Sequence, residues 1–319
     1  RGDGNAPACA DCHGTHGGKA RTDVSSPTYP TNVPALCAGC HREGKKAAIR
    51  YRGTEHRILE HYTESIHGKG LLKSGLVVTA MCTSCHTTHG MRPAADPASS
   101  VHRSRIAGTC ARCHQGVYEG LMDSVHSPNV TRGKDPLPVC SDCHSAHTIR
   151  RTDLEGFRME VMGRCGRCHL ETARSYFQTY HGKVTQLGYG KTAKCHDCHG
   201  AHDIHPITDP RSSLHRLRVV DTCRKCHPGA TRRFAGYFTH ATHHDAKRYP
   251  WLFWSFWGMT ALLIGTFSLG GVHTLLWIPR ALQARRTHPP RAPRPGERQF
   301  ERFTPGARAA HAVMIVSFL

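Results

Sequence analysis

A mostly α-helical chain with extensive loops, closed by transmembrane helices, is the fold class that three observations predict. Of 319 residues, sixteen are cysteine and twenty-seven histidine, and every cysteine lies in one of eight copies of Cys-x-x-Cys-His. Residues 1 to about 245 are rich in Gly, Pro, Ser and Thr, with few long apolar periodicities. Residues 251–278, WLFWSFWGMTALLIGTFSLGGVHTLLWI, carry no formal charge and are long enough to cross a bilayer.

The motif comes first, because it decides what the rest of the chain is for. The cysteine pairs are Cys9/Cys12, Cys37/Cys40, Cys82/Cys85, Cys110/Cys113, Cys140/Cys143, Cys165/Cys168, Cys195/Cys198 and Cys223/Cys226. The histidines that follow are His13, His41, His86, His114, His144, His169, His199 and His227. This is the attachment signature of haem c. Two thiols form thioethers to the porphyrin, and the next residue places an imidazole under the iron as proximal ligand. Zinc ribbons also use Cys-x-x-Cys, but tetrahedral zinc has no need of a histidine after each second cysteine. A disulfide scaffold explains neither the constant gap nor the histidines. Eight haem c groups are therefore expected.

The sites alternate between two types. CADCHGTH, CTSCHTTH, CSDCHSAH and CHDCHGAH carry a second histidine three residues on; CAGCHREG, CARCHQGV, CGRCHLET and CRKCHPGA do not. First cysteines are spaced by 28, 45, 28, 30, 25, 30 and 28 residues, so the repeating unit is a pair of sites. Residues 96–114 and 209–227 are near copies, as are SIHGKG, SVHSPN and TYHGKV around His67, His126 and His181. The site at Cys9 carries the trailing histidine but lacks a preceding partner, so the array starts out of phase or an upstream member is missing. About thirty residues per haem cannot build an ordinary hydrophobic core, which leaves the porphyrins themselves as the core. Helices are expected around 104–125, 157–180 and 214–240.

Iron closed by two histidines transfers electrons and has no position for a substrate, whereas an open distal face permits catalysis. Candidate distal ligands are the four trailing histidines, His16, His89, His147 and His202, and the three repeated ones, His67, His126 and His181. His240 completes the set, with His243 as a near alternative, giving eight candidates for eight irons. A histidine three residues beyond its proximal neighbour is expected to serve a neighbouring haem. His102 and His215 also repeat and could replace two of these, while His56, His61, His196, His205 and His244 read as surface or supporting residues.

Haem c is attached outside the cytoplasm, so residues 1–246 form a domain expected in the periplasm, preceded by a leader now removed or by further chain. Residues 247–279 form a transmembrane helix with tryptophans toward its ends. Residues 280–308 form an Arg/Pro-rich linker whose arginines place it in the cytoplasm. Residues 309–319 start a second transmembrane helix. His273 and His311 lie in these apolar stretches, where a histidine is a functional candidate by default, here for a haem b held between helices. The formal charge of +20 needs no nucleic-acid partner. Sixteen propionates bring about −16 if all ionise, and basic residues are their counter-ions.

Taken together, the paired CxxCH/CxxCHxxH array, the Trp-rich anchor and the ending RFTPGARAAHAVMIVSFL resemble multihaem cytochrome c–cytochrome b fusions. Those are quinol dehydrogenases of the bacterial inner membrane. The ending is similar to the first helix of the formate dehydrogenase/hydrogenase cytochrome b subunit, which implies that His311 binds haem b. The resemblance implies electron transfer between the membrane quinol pool and periplasmic cytochromes, as part of a quinol:cytochrome c-type oxidoreductase. Two other readings stand beside it. One is an octahaem oxidoreductase acting on nitrogen or sulfur oxyanions at one open haem; the other is an electron-transfer subunit of a larger membrane complex.

Overall fold

The structure is a computed structural model that describes residues 6–51, 53, 55–237, 239–287, 296 and 303–317. The chain is helical, with extensive loops and no strand among the described residues. It divides into two compact units, Arg1–Ala241 and Thr242–Leu319.

The first unit is built from helices of 4 to 14 residues. Such short helices are unstable alone, because nucleation fixes several residues for one hydrogen bond. Local hydrogen bonds and tertiary contacts must hold them. Three turns of the same build introduce sites of the plain type. Ser26 N–H donates to Asp23 O (2.9 Å), Ser99 N–H to Asp96 O (2.8 Å) and Ser212 N–H to Asp209 O (2.9 Å). The first of these, at 23–41, is a third copy of the segments at 96–114 and 209–227. Its spacing from Asp23 to Cys37 already matched theirs in the sequence. In the other two copies, the Ser100 and Ser213 hydroxyls donate to the carbonyls of Cys85 and Cys198, both at 2.5 Å.

The segments expected to be helical hold Ile106–Ala111 and Gln115–Met122, then Glu155–Cys168 and Leu170–Gln178, then Val219–Arg224 and Arg232–Ala235. In each pair the break falls at or just beyond a haem-attachment motif. Apolar burial is sparse. One cluster joins Val33, Tyr62, Leu71 and Met81, with Cys37 and Cys82 packed against it.

The second unit contains the helix Pro250–Thr287, which is long and apolar enough to cross a membrane. None of its residues is buried. It continues beyond the expected end at residue 279. Pro279 removes one backbone donor, and the Arg-Ala-Leu-Gln-Ala run after it consists of good helix formers. Arg285 and Arg286 in the last turn complement the helix dipole. The first part of the expected linker is therefore helical, and 288–295 and 297–302 lie outside the described residues. A second helix spans Pro305–Ser317, while 318–319 of the expected second membrane helix also lie outside them.

Candidate functional site

Seven proximal histidines each face a second imidazole. The ring centroids are 6.1 Å apart for His13 and His89, 6.2 Å for His86 and His147, and 5.8 Å for His144 and His202. They are 6.2 Å apart for His199 and His240, 6.2 Å for His114 and His67, 6.2 Å for His169 and His126, and 6.1 Å for His227 and His181. A metal–imidazole bond is about 2 Å, and each ring centre lies roughly 1 Å behind its nitrogen. Two rings sharing one metal therefore stand about 6 Å apart. Imidazoles in direct contact sit much closer, as His243 and His244 do at 3.9 Å. Among the described residues no group of three or more His, Cys, Asp or Glu converges to hold a metal ion. Histidines that come in twos fit an iron whose other four ligands belong to a porphyrin, and all sixteen cysteines are free of disulfides, as thioether formation requires.

The pairing follows a register. At sites with a trailing histidine, the facing ring is the trailing histidine of the next such site: His89 for His13, His147 for His86 and His202 for His144. His240 closes the series. At plain sites the facing ring comes from one repeat back: His67 for His114, His126 for His169 and His181 for His227. Two backbone bonds lace both kinds of facing histidine together. Ile66 N–H, beside His67, donates to Ile149 O, two residues past His147 (2.8 Å). Val125 N–H, beside His126, donates to Ile204 O, two residues past His202 (2.8 Å).

Local chemistry fixes these histidines. Ser65 and Thr179 cap the helices Ile66–Leu72 and Tyr180–Gln186, accepting from Gly68 N–H (3.0 Å) and Gly182 N–H (3.2 Å). His67 and His181 thus sit in a fixed first turn. A Cβ on Gly68 would stand 1.9 Å from Tyr62 O, so only glycine allows this close approach. At trailing-histidine sites, the residue before the second cysteine reaches back to the start of its own one-turn helix. Asp11 accepts from Ala8 N–H (2.7 Å), Ser84 from Met81 N–H (3.1 Å), Asp142 from Val139 N–H (2.8 Å) and Asp197 from Lys194 N–H (2.8 Å). Plain sites carry Gly, Arg or Lys at that position. This difference was present in the sequence and marks a structural role that the haem motif hides.

The residue after each of these four proximal histidines has positive φ: Gly14 (78°), Thr87 (67°), Ser145 (62°) and Gly200 (82°). With ψ near 180° this region is nearly reserved for glycine. The turn separates the trailing histidine from its proximal neighbour and presents it to another site.

Successive attachment sites are neighbours in space. The thiols of Cys37 and Cys82, Cys110 and Cys140, and Cys165 and Cys195 lie close enough to perturb one another's ionisation. Cys12 lies within electrostatic reach of Cys37, Cys85 of Cys113, Cys143 of Cys165, and Cys198 of Cys223. The attachment sites are thus strung in chain order, which the sequence alone does not give.

Burial holds His67, His86, His126, His144, His147, His181, His199 and His202 below the ordinary imidazole range. The neutral ring so favoured is the form that binds metal. Ser175 Oγ lies 3.1 Å from His240 Nδ1, and Phe157 stacks on His144 at 5.3 Å. Both help fix ring orientation.

The remaining candidates lie elsewhere. No imidazole faces His16 or His41 among the described residues of the first unit. His102 Nδ1 meets Ser104 Oγ at 2.8 Å, and His215 Nδ1 accepts from Leu217 N–H at 3.4 Å. His61 pairs with Glu55 at 2.7 Å, His196 accepts from Arg158 Nε at 3.2 Å, and His205 lies between Asp123 and Asp209. His243 stacks on Phe256 at 3.8 Å. His311, on Pro305–Ser317, has Phe303 as ring neighbour at 6.0 Å, and His273 lies on Pro250–Thr287.

Residues 3–46 match the family described as a doubled CXXCH motif. The chain is 30% identical over 123 residues to a C-type polyheme cytochrome, OmcC, of Geobacter sulfurreducens, an alignment taking in 34% of this chain and 14% of that relative. No solved structure matches the chain. The CXXCH motifs indicate covalently bound haem c, and with this similarity they support a multihaem c-type cytochrome and electron transfer in general.

Proposed function

We propose that the chain holds eight haem c groups and carries electrons along them between the membrane quinol pool and periplasmic acceptors. The observation that carries this reading is the set of seven facing imidazole pairs, spaced for one iron each and strung in chain order. Haem c supplies a one-electron iron couple when bound. The histidines do the rest: each facing pair would hold one haem iron in either oxidation state and leave no room for a substrate. Rigid ligation also avoids large motions on electron transfer.

The anchor gives the array a side. The helix Pro250–Thr287 crosses the bacterial inner membrane, the arginines after it face the cytoplasm, and the haem unit lies in the periplasm. His273, on the anchor, and His311, beyond it, are the residues that would ligate haem b in a cytochrome b-like part, by which quinol-derived electrons would enter. They leave from an exposed site to a soluble cytochrome or a membrane complex. Reconstitution of the full-length protein with a quinol tests this reading: the c haems should become reduced, and their remaining oxidised would contradict it. The second reading, an oxidoreductase of nitrogen or sulfur oxyanions at one open haem, is favoured by one observation, the unfaced His41.

A further inference from the structure

His41 and His16 are the first members of their two series. Each trailing histidine faces the proximal histidine of the same type one step back. His16 begins that series, so the register assigns it to none of the eight irons. Each plain site takes its facing histidine from one repeat back. His41 begins that series, and the residues before it hold only His13, which already faces His89, and His16.

Among the described residues the histidines that follow do not face it either: the His56 ring meets Tyr51 edge-on at 5.7 Å, and His61, whose Nδ1 lies 2.7 Å from Glu55 Oε1, makes no ring pair with His41.

We infer that the iron held by His41, alone among the eight, takes no second histidine from this chain and keeps its sixth position open to a small external donor. The class of ligand is a small neutral molecule that binds haem iron end-on: carbon monoxide on the reduced iron, free imidazole on the oxidised one. The bond is a simple donation of a lone pair to iron, with no other reactant. The inference rests on the wire reading above, and it names which site departs from it.

The experiment uses the 319-residue holoprotein in detergent, with haem counted by the pyridine haemochrome assay and carbon monoxide titrated into the reduced protein. One carbon monoxide should bind per eight haems, and in the oxidised protein about one haem in eight should be high-spin and become low-spin on adding imidazole. His16→Ala should change neither result. His67→Ala should raise the carbon monoxide count from one to two by opening the iron over His114. Eight low-spin haems that bind no carbon monoxide would overturn the inference and leave the wire reading standing. So would a His16→Ala variant that binds more carbon monoxide than the parent, since His16 would then be the missing ligand. A high-spin fraction that falls with protein concentration would also overturn it, because a second copy would be closing the iron. Several carbon monoxide molecules per parent chain would overturn both readings.

Discussion

The two kinds of attachment site share a motif but occupy different surroundings. Where a trailing histidine follows, His86, His144 and His199 are half-buried, and burial lowers their basicity. At the plain sites His41, His114, His169 and His227 are exposed, and so are Cys40, Cys113, Cys168 and Cys226. Second cysteines of the first kind, Cys12, Cys85, Cys143 and Cys198, are only half-exposed. His13, at the first site of the array, is the exception and lies exposed. The contrast tracks the capping residue before the second cysteine and the positive-φ turn after the histidine. One ligand chemistry is thereby set in an inner row and an outer row, and burial is one of the levers by which a protein tunes haem potential.

Ligand removal should break the contrast most severely. His147→Ala opens the inner iron over His86, and His126→Ala opens the outer iron over His169. Each should turn about one haem in eight high-spin, the inner one binding carbon monoxide more slowly because its histidines are buried. Equal binding rates, followed by stopped-flow spectroscopy, would mean that the two rows do not differ in access.

A smaller effect is expected from the caps. Asp142 accepts from Val139 N–H and pairs with Arg103 at 2.8 Å. Asp142→Ala should lower stability by about 1–2 kcal/mol, the usual cost of losing a hydrogen bond to a charged group. Lys225→Ala, at the corresponding position of an exposed plain site, should cost about 0.5 kcal/mol or less. Denaturant titration of the two holoproteins measures both, and equal losses would remove the structural distinction between the rows.

The turns allow the finest test. Thr87 and Ser145 are the non-glycine residues with positive φ among the described residues. Relief of about 1–3 kcal/mol of strain opposes the added freedom of glycine in the unfolded chain, about 0.5–1 kcal/mol. Ser145→Gly should therefore stabilise slightly, by about 1 kcal/mol. Gly200→Ala at the matching position should destabilise by about as much, a change of sign that thermal melting would register.

Much of this was legible in the residues. The eight motifs, their two types and the uncharged stretch at 251–278 needed only the sequence. The pairing register was not legible, because a histidine such as His89 faces a ring 76 positions earlier, and spacing alone does not say which iron it serves. Helix boundaries were blurred for a local reason: the attachment motifs interrupt or end the helices, as at Cys110 and Cys165. The third turn, Asp23 to Cys37, was hidden because Tyr29 and Pro30 stand where the other copies have His-Arg. The extension of the apolar helix past Pro279 was hidden because proline and arginine read as linker, although neither prevents a helix from continuing.

The most direct test of the central claim is the EPR spectrum of the oxidised holoprotein, with haem quantified on the same sample. Eight attachment motifs and seven paired imidazoles predict eight c haems per chain, of which about seven in eight give only low-spin signals. Predominantly high-spin iron at that haem content would show that the facing histidines are not ligands, and would contradict the account.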